Sequence, residues 1–209
     1  EAERSGNGIR IFSKYLKDAG YVKEKCYELW TKAGPVQVEF LDEDASHMKV
    51  DMGYAAFGAD SIHAVGFEGD MINESVFFCD NFYNITCVSM GNPHCVVFMD
   101  DVEDFEIEKT GPLFENYKDF PKRINTEFVK VIDEHTLQMR VWERGSGETL
   151  ACGTGACATA VAAVLNGHCN GEILIHLLGG DLKIEWDKET NHVFMTGPAA
   201  ISFEGEINL

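Results

Sequence analysis

Basic residues are scarce in this chain: 17 Lys and Arg stand against 35 Asp and Glu, a formal charge of −18 at pH 7. Without a basic face a protein cannot displace counterions from a duplex or hold an anionic membrane surface, so neither nucleic acid nor membrane is expected as a partner. Acidity of this kind otherwise reports solubility, and no substrate is read from it. Also missing is any C-x-x-C pair among the seven cysteines, at positions 26, 79, 87, 95, 152, 157 and 169. That removes the commonest zinc and thioredoxin-like readings, and no metal site is expected. An odd, scattered set makes a poor disulfide framework. Reduced thiols in a cytoplasmic protein are the expectation, with Cys26, Cys79, Cys87 and Cys169 as buried small hydrophobes. Long apolar runs are absent too: the longest, at 156–165, is far too short to span a bilayer. No signal peptide is read at the start, where the first residue is Glu1 rather than Met. What is present is an ordinary globular mixture, 45% apolar and 25% charged over 209 residues, enough for one large domain or two small lobes.

Period-two alternation dominates. It predicts strands over 36–40, 48–52, 75–78, 85–89, 95–99, 127–132, 136–142, 171–177, 182–186, 193–196 and 200–205. Turn residues predict hairpins at Asp133-Glu134-His135 and at Gly179-Gly180-Asp181. Only two segments read as helices. One runs over 9–19, with Ile9, Phe12 and Leu16 on one face and Gly20 as its stop. The other runs over 156–165, apolar on every side and stopped at Gly167. A helix of that kind must be buried on every side, so the strands are expected to surround it.

The two helices open alike. Ser5-Gly6-Asn7-Gly8 precedes the first and Cys152-Gly153-Thr154-Gly155 the second, each with a glutamate four residues before it, Glu1 and Glu148. An E-x-x-x-[S/C]-G-[N/T]-G element used twice suggests two related half-structures. Small residues at a helix start leave backbone N–H groups free, and with the positive end of the dipole they suit a carboxylate or phosphate. The bland alternative is a tight glycine turn. Gly153-x-Gly155-x-x-Ala158 also fits a relaxed dinucleotide fingerprint, but residues 145–149 separate it from the preceding strand, which argues against that use.

Cys152 is the strongest candidate for chemistry: a thiol at a helix N-terminus is expected to have a lowered pKa and to serve as nucleophile or base. His94, in Gly91-Asn92-Pro93-His94, is the histidine in a motif-like setting. Arg144 in Glu143-Arg144-Gly145 suits a bidentate clamp on a carboxylate, with a local ion pair to Glu143 as the competing reading.

The run from Glu143 to Ala158, E-R-G-x-G-E-T-x-A-C-G-T-G-A-C-A, closely resembles the second active-site segment of diaminopimelate epimerases. Ser89-Met90-Gly91-Asn92-Pro93-His94-Cys95 resembles the family's GNPHC segment. Pro121-x-Arg123-x-Asn125-x-x-Phe128 resembles its R-x-N segment, Met195-Thr196-Gly197-Pro198-Ala199 its C-terminal one, and residues 1–10 its first active-site segment. The likeness implies an α+β fold of two pseudo-symmetric lobes, each a mostly antiparallel sheet wrapped around a central helix. The division expected is 1–55 with 198–209 as the remainder of the N-terminal lobe, and 56–197 as the C-terminal lobe. Further N-terminal family sequence, with substrate-binding asparagine and glutamine positions, is inferred to be missing from the chain.

What the resemblance implies about activity is cofactor-independent epimerisation of an amino acid, LL- to meso-diaminopimelate, with a small-molecule partner and a homodimer left open. Cys152 and the residue at position 5 would exchange protons with opposite faces of the α-carbon. Gly6, Asn7, Gly153 and Thr154 would hold the α-carboxylate; His94 and Glu143 would orient the ammonium end; Asn92, Asn125 and Arg144 would hold the distal end. One departure stands out: the family's first catalytic cysteine aligns with Ser5. An engineered substitution, a natural one-base enzyme such as a hydroxy-amino-acid dehydratase, and a silent amino-acid binder compete as explanations. A racemase for another amino acid is the remaining rival.

Overall fold

A computed structural model describes residues 5–32, 34–78 and 81–206. The elements in chain order are α1 (Gly6–Asp18), β1 (Cys26–Thr31), β2 (Gly34–Phe40), β3 (His47–Tyr54), α2 (Ala59–Ile62), β4 (Glu74–Phe78), β5 (Asn81–Ser89), β6 (Pro93–Phe98) and α3 (Ile107–Glu115). Then come β7 (Asn125–Asp133), β8 (Thr136–Glu143), β9 (Gly147–Thr149), α4 (Gly153–Leu165), β10 (Glu172–Leu177), β11 (Gly180–Trp186) and β12 (His192–Pro198). The fold class is α+β. The strands form one sheet in the order β1-β2-β3-β12-β11-β10-β8-β7-β6-β5-β4, with β9 paired to β8. Its ladders are antiparallel except for β6–β7 and β8–β10.

The sheet curls around α4, as an all-apolar helix requires. Every residue from Gly153 to Ala163 is buried, and α4 packs on β5, β6, β7, β10, β11 and β12. Alternation along each strand sorts side chains between two cores. Val129 of β7, Val96 of β6 and Val141 of β8 join the cluster around α4. Phe128, Cys95 and Trp142, one residue out of phase, join the second cluster beneath α3, where Phe128 meets Phe105 and Phe114. Asn125 and Glu127 share the α4-facing side of β7 with Val129, so that side turns polar at the N-terminal end of α4.

Ten of the expected strands form, with both hairpins: Asp133 pairs with Thr136, and Leu177 with Gly180. The strand expected over 200–205 does not form; the segment is exposed and has no ladder partner among the described residues. Alternation does not predict β1, an edge strand with no fully buried side chain, or the three-residue β9, and no periodicity predicts α2 or α3. Pro112 inside α3 masks its pattern, and Gly111 is needed there because an added Cβ would lie 2.5 Å from the Trp142 ring.

Both expected helices start three residues early, at Gly6 and Gly153, because capping side chains hold the first turns in spite of glycine's poor propensity. The face of α1 is also not the expected one. Gly6, Ile9, Arg10 and Ser13 are buried, whereas Phe12 is exposed. Among the cysteines, Cys87 and Cys169 are buried as expected, Cys26 on the edge strand is exposed, and Cys79 lies outside the described residues. No helix among the described residues is long and apolar enough to cross a membrane.

Candidate active site

The repeated motif builds two matched helix caps. Ser5 is extended at φ −140°, ψ 114°, and its Oγ accepts from Gly8 N at 3.2 Å. Cys152 is extended at φ −128°, ψ 111°, and its Sγ accepts from Gly155 N at 3.4 Å. The two helix starts touch. A Cβ on Gly6 would lie 2.9 Å from Met195 Cε and 3.4 Å from Gly153 Cα; one on Gly153 would lie 3.2 Å from Met195 Sδ and 3.3 Å from Gly6 Cα. A side chain at either place would force Met195 or the facing glycine to give way.

The caps open onto one cavity of about 330 Å³. Ser5, Gly6 and Asn7 line it from α1, and Ala151, Cys152, Gly153 and Thr154 from α4. Asn92 comes from the turn before β6, Asn125 from the start of β7, and Glu143 and Arg144 from the end of β8. Helix starts on two sides aim free N–H groups and positive dipole ends at the same space, a ready site for a carboxylate.

Hydrogen bonds hold this wall. Asn92 Nδ2 donates to Thr154 Oγ1 at 3.2 Å, tying the turn before β6 to the first turn of α4. Asn125 spends its amide on backbone: Nδ2 donates to Pro93 O at 2.8 Å, and Oδ1 accepts from Arg144 N at 2.9 Å. Glu143 Oε1 accepts from Thr149 Oγ1 at 2.5 Å. Arg144 does not form the local ion pair with Glu143; its Nη1 donates to Lys122 O at 3.0 Å. Glu115, buried on α3, accepts from Gly145 N at 2.9 Å, Trp142 Nε1 at 2.8 Å and Arg123 Nη1 at 2.8 Å. The loop that carries Glu143 and Arg144 is therefore pinned from below, and Arg123 of the R-x-N segment serves that anchor.

Ten of the eleven expected site residues line the cavity. His94 does not. Its side chain has no exposed surface, and Nδ1 lies 2.7 Å from Oε1 of Glu127, which is equally buried. The expectation of a lowered pKa at Cys152 is overturned. Burial, then the charges of Glu127 and Glu143, push the thiol up to about 12, outweighing the hydrogen bonds from Thr154 and Gly155. That direction favours the thiol, the proton-donating form, at Cys152.

Two residues near the cavity escaped the sequence reading. Arg10 is 8% exposed, and burial lowers its pKa. It donates to Pro198 O at 3.1 Å and Asn7 Oδ1 at 3.0 Å, so it fixes the asparagine that lines the cavity. Glu127 is the other; its signal was available, since a carboxylate stands there in phase with Val129 on the inward side of a strand.

Comparison with known proteins agrees with this geometry. The model of the family described as diaminopimelate epimerase matches residues 86–202. Proteins named diaminopimelate epimerase are 47% identical over 211 residues in Methanococcus maripaludis (strain C5), 48% over 218 in Agathobacter rectalis and 49% over 211 in Acetivibrio thermocellus. Each alignment takes in 100% of this chain, and 76%, 76% and 75% of the respective relative. Solved structures share the fold at low identity. A PhzF-family phenazine biosynthesis protein from Bacillus anthracis has a TM-score of 0.64 at 16% identity, covering 95% of this chain and 74% of its own. A hydroxyproline epimerase from Agrobacterium vitis, with bound trans-4-hydroxy-L-proline, has a TM-score of 0.68 at 13% identity, covering 94% and 65%.

The family match and these relatives place the molecule, with its sheet wrapped around a buried helix, among isomerases of the epimerase class. Nearly half its residues match the curated relatives along its whole length. The chain belongs to the diaminopimelate epimerase family.

Proposed function

We propose that the protein interconverts LL- and meso-diaminopimelate by moving protons on and off one α-carbon, as a step in making lysine and peptidoglycan precursors. The observation that carries this reading is the pair of matched caps, Ser5 and Cys152, meeting across one cavity beside Arg144. The N–H groups of both helix starts, with Asn7 and Thr154, hold the α-carboxylate and stabilise the enediolate that forms when the α-proton leaves. Glu143 faces the ammonium group, with His94 behind the wall. Asn92 and Arg144 take the distal end, where the guanidinium forks onto the second carboxylate. Cys152 delivers its thiol proton to one face of the carbanion; in the reverse direction the thiolate removes that proton.

Position 5 governs the opposite face. A serine hydroxyl is far less acidic than a thiol, and this favours a second reading, one-base chemistry on another amino acid. The discriminating experiment is incubation with diaminopimelate stereoisomers in D2O, following α-proton exchange by NMR and stereochemistry by chiral chromatography. Exchange with inversion is the expected result. Exchange without inversion supports one-base chemistry, and no exchange of diaminopimelate or other amino acids leaves a silent binder.

A further inference from the structure

Glu127 has no part in the proton transfers above, yet it sits in the core with no exposed surface. Burying a carboxylate is costly unless the charge has a use or a partner. Its partner is His94 on the neighbouring parallel strand, Oε1 to Nδ1 at 2.7 Å. The far atoms of this pair, Glu127 Oε2 and His94 Nε2, are both buried and find no hydrogen-bond partner among the described residues. The carboxylate also reaches the first turn of α4. A Cβ on Gly155 would lie 2.6 Å from Glu127 Oε1 and 3.2 Å from Cys152 Sγ, so carboxylate and thiol press on the same spot.

We propose that Glu127 is a positioning residue, whose carboxylate accepts the Nδ1–H of His94 and locks the imidazole in the tautomer that leaves Nε2 a hydrogen-bond acceptor. The pair can hold one proton or two. With one, on Nδ1, the carboxylate is ionised and the neutral imidazole leaves Nε2 bare; with two, a neutral carboxyl on Oε1 faces an imidazole protonated at Nε2. Burial holds the carboxyl's pKa above its ordinary value, and the adjoining imidazole works against that rise. The 2.7 Å contact, together with the lack of any acceptor for a proton on Nε2 among the described residues, favours the single-proton state. The groups facing this carboxylate are His94 from β6, Cys152 from the start of α4 and Glu143 from the end of β8. His94 lies behind the cavity wall, so a ring held in one tautomer acts on an ammonium group only through that wall. In that respect the inference rests on the epimerase reading.

The test begins with the unaltered protein, labelled with 15N, and needs no substrate. Long-range 1H–15N correlation of the His94 ring, assigned by its loss in His94→Gln, is expected to show Nδ1 protonated and Nε2 bare. Protonated Nε2 at neutral pH overturns the proposal, whatever the reaction proves to be. In Glu127→Gln the amide can turn to donate to Nδ1, so the proton is expected to move to Nε2. The kcat for α-proton exchange should then fall on the order of 10–100-fold or more, with KM little changed. Loss of the negative charge should also shift the alkylation profile of Cys152 to lower pH. An unchanged tautomer, or a raised KM at constant kcat, overturns the positioning role. Should the unaltered protein exchange no α-proton, the spectrum still decides the role of Glu127 while the epimerase reading fails separately.

Discussion

Ser5→Cys is the substitution on which the assignment turns. Ser5 and Cys152 occupy the same cap geometry, each accepting from the N–H three residues on, at 3.2 and 3.4 Å. A thiol at position 5 would therefore sit where the sulfur of Cys152 sits on the other helix. Their surroundings differ: Cys152 is 6% exposed and flanked by Glu127 and Glu143, whereas Ser5 is exposed. The burial that pushes Cys152 up does not act at position 5, and the start of α1 favours a thiolate there. One face would then carry the ready base and the other the ready acid. Positioned acid–base catalysis contributes about 10²–10⁴-fold, roughly 3–5 kcal/mol of barrier. Exchanging a serine cap for a weaker sulfur acceptor costs α1 at most about 1 kcal/mol. The expected result is a gain in stereoinversion within that range, read by chiral chromatography of diaminopimelate, with little loss of thermal stability. No inversion in Ser5→Cys, together with turnover of some other amino acid by the serine form, would refute the reasoning.

Iodoacetamide should modify Cys152 at a rate that climbs about tenfold per pH unit towards 12, instead of levelling near the usual cysteine value of about 8.5; peptide mapping separates it from exposed Cys26, and bound substrate should protect it. Complete modification of Cys152 should abolish α-proton exchange, and undiminished exchange would show that the thiol is a bystander. Arg144→Lys removes the planar fork and should weaken diaminopimelate binding by about 1.5–3 kcal/mol in calorimetry, while a monocarboxylic amino acid loses much less; equal losses would make Arg144 purely structural. Gly153→Ala places a methyl 3.2 Å from Met195 Sδ and 3.3 Å from Gly6 Cα, and with both packed against it stability should fall by about 1–3 kcal/mol in thermal unfolding, against no change if the helix starts are free to separate.

Much of this site could be read from sequence because its residues sit in short local motifs. Ser5 to Gly8 and Cys152 to Gly155 specify caps by themselves, and Asn92, Asn125, Glu143 and Arg144 lie at strand ends, where turn chemistry is visible. The strands were legible wherever one side is buried. They were not where burial fails to alternate, as in β1, and the apolar residues at 201 and 203 mimicked a strand with nothing to pair against. The state of Cys152 was beyond a local reading. Helix start and glycines argue for a low pKa, but burial among the strands outweighs them, followed by the charges of Glu127 on β7 and Glu143 on β8, brought in by sheet register. Likewise the amphipathic pattern of α1 selected Phe12 for the core, because nothing nearby in sequence announces that Pro198 O and Asn7 will receive a buried Arg10.

The contact between Gly6 and Gly153, cushioned by Met195, has a mechanical consequence. With the first turns of α1 and α4 touching, neither helix can slide past the other without lifting off the methionine sulfur. A change in the width of the cavity must then be a rotation, with this point as its fulcrum. The atoms nearest a fulcrum move least, and those atoms are the N–H groups of the two helix starts and the two cap side chains. The width of the mouth can then change while the spacing of the two caps stays constant.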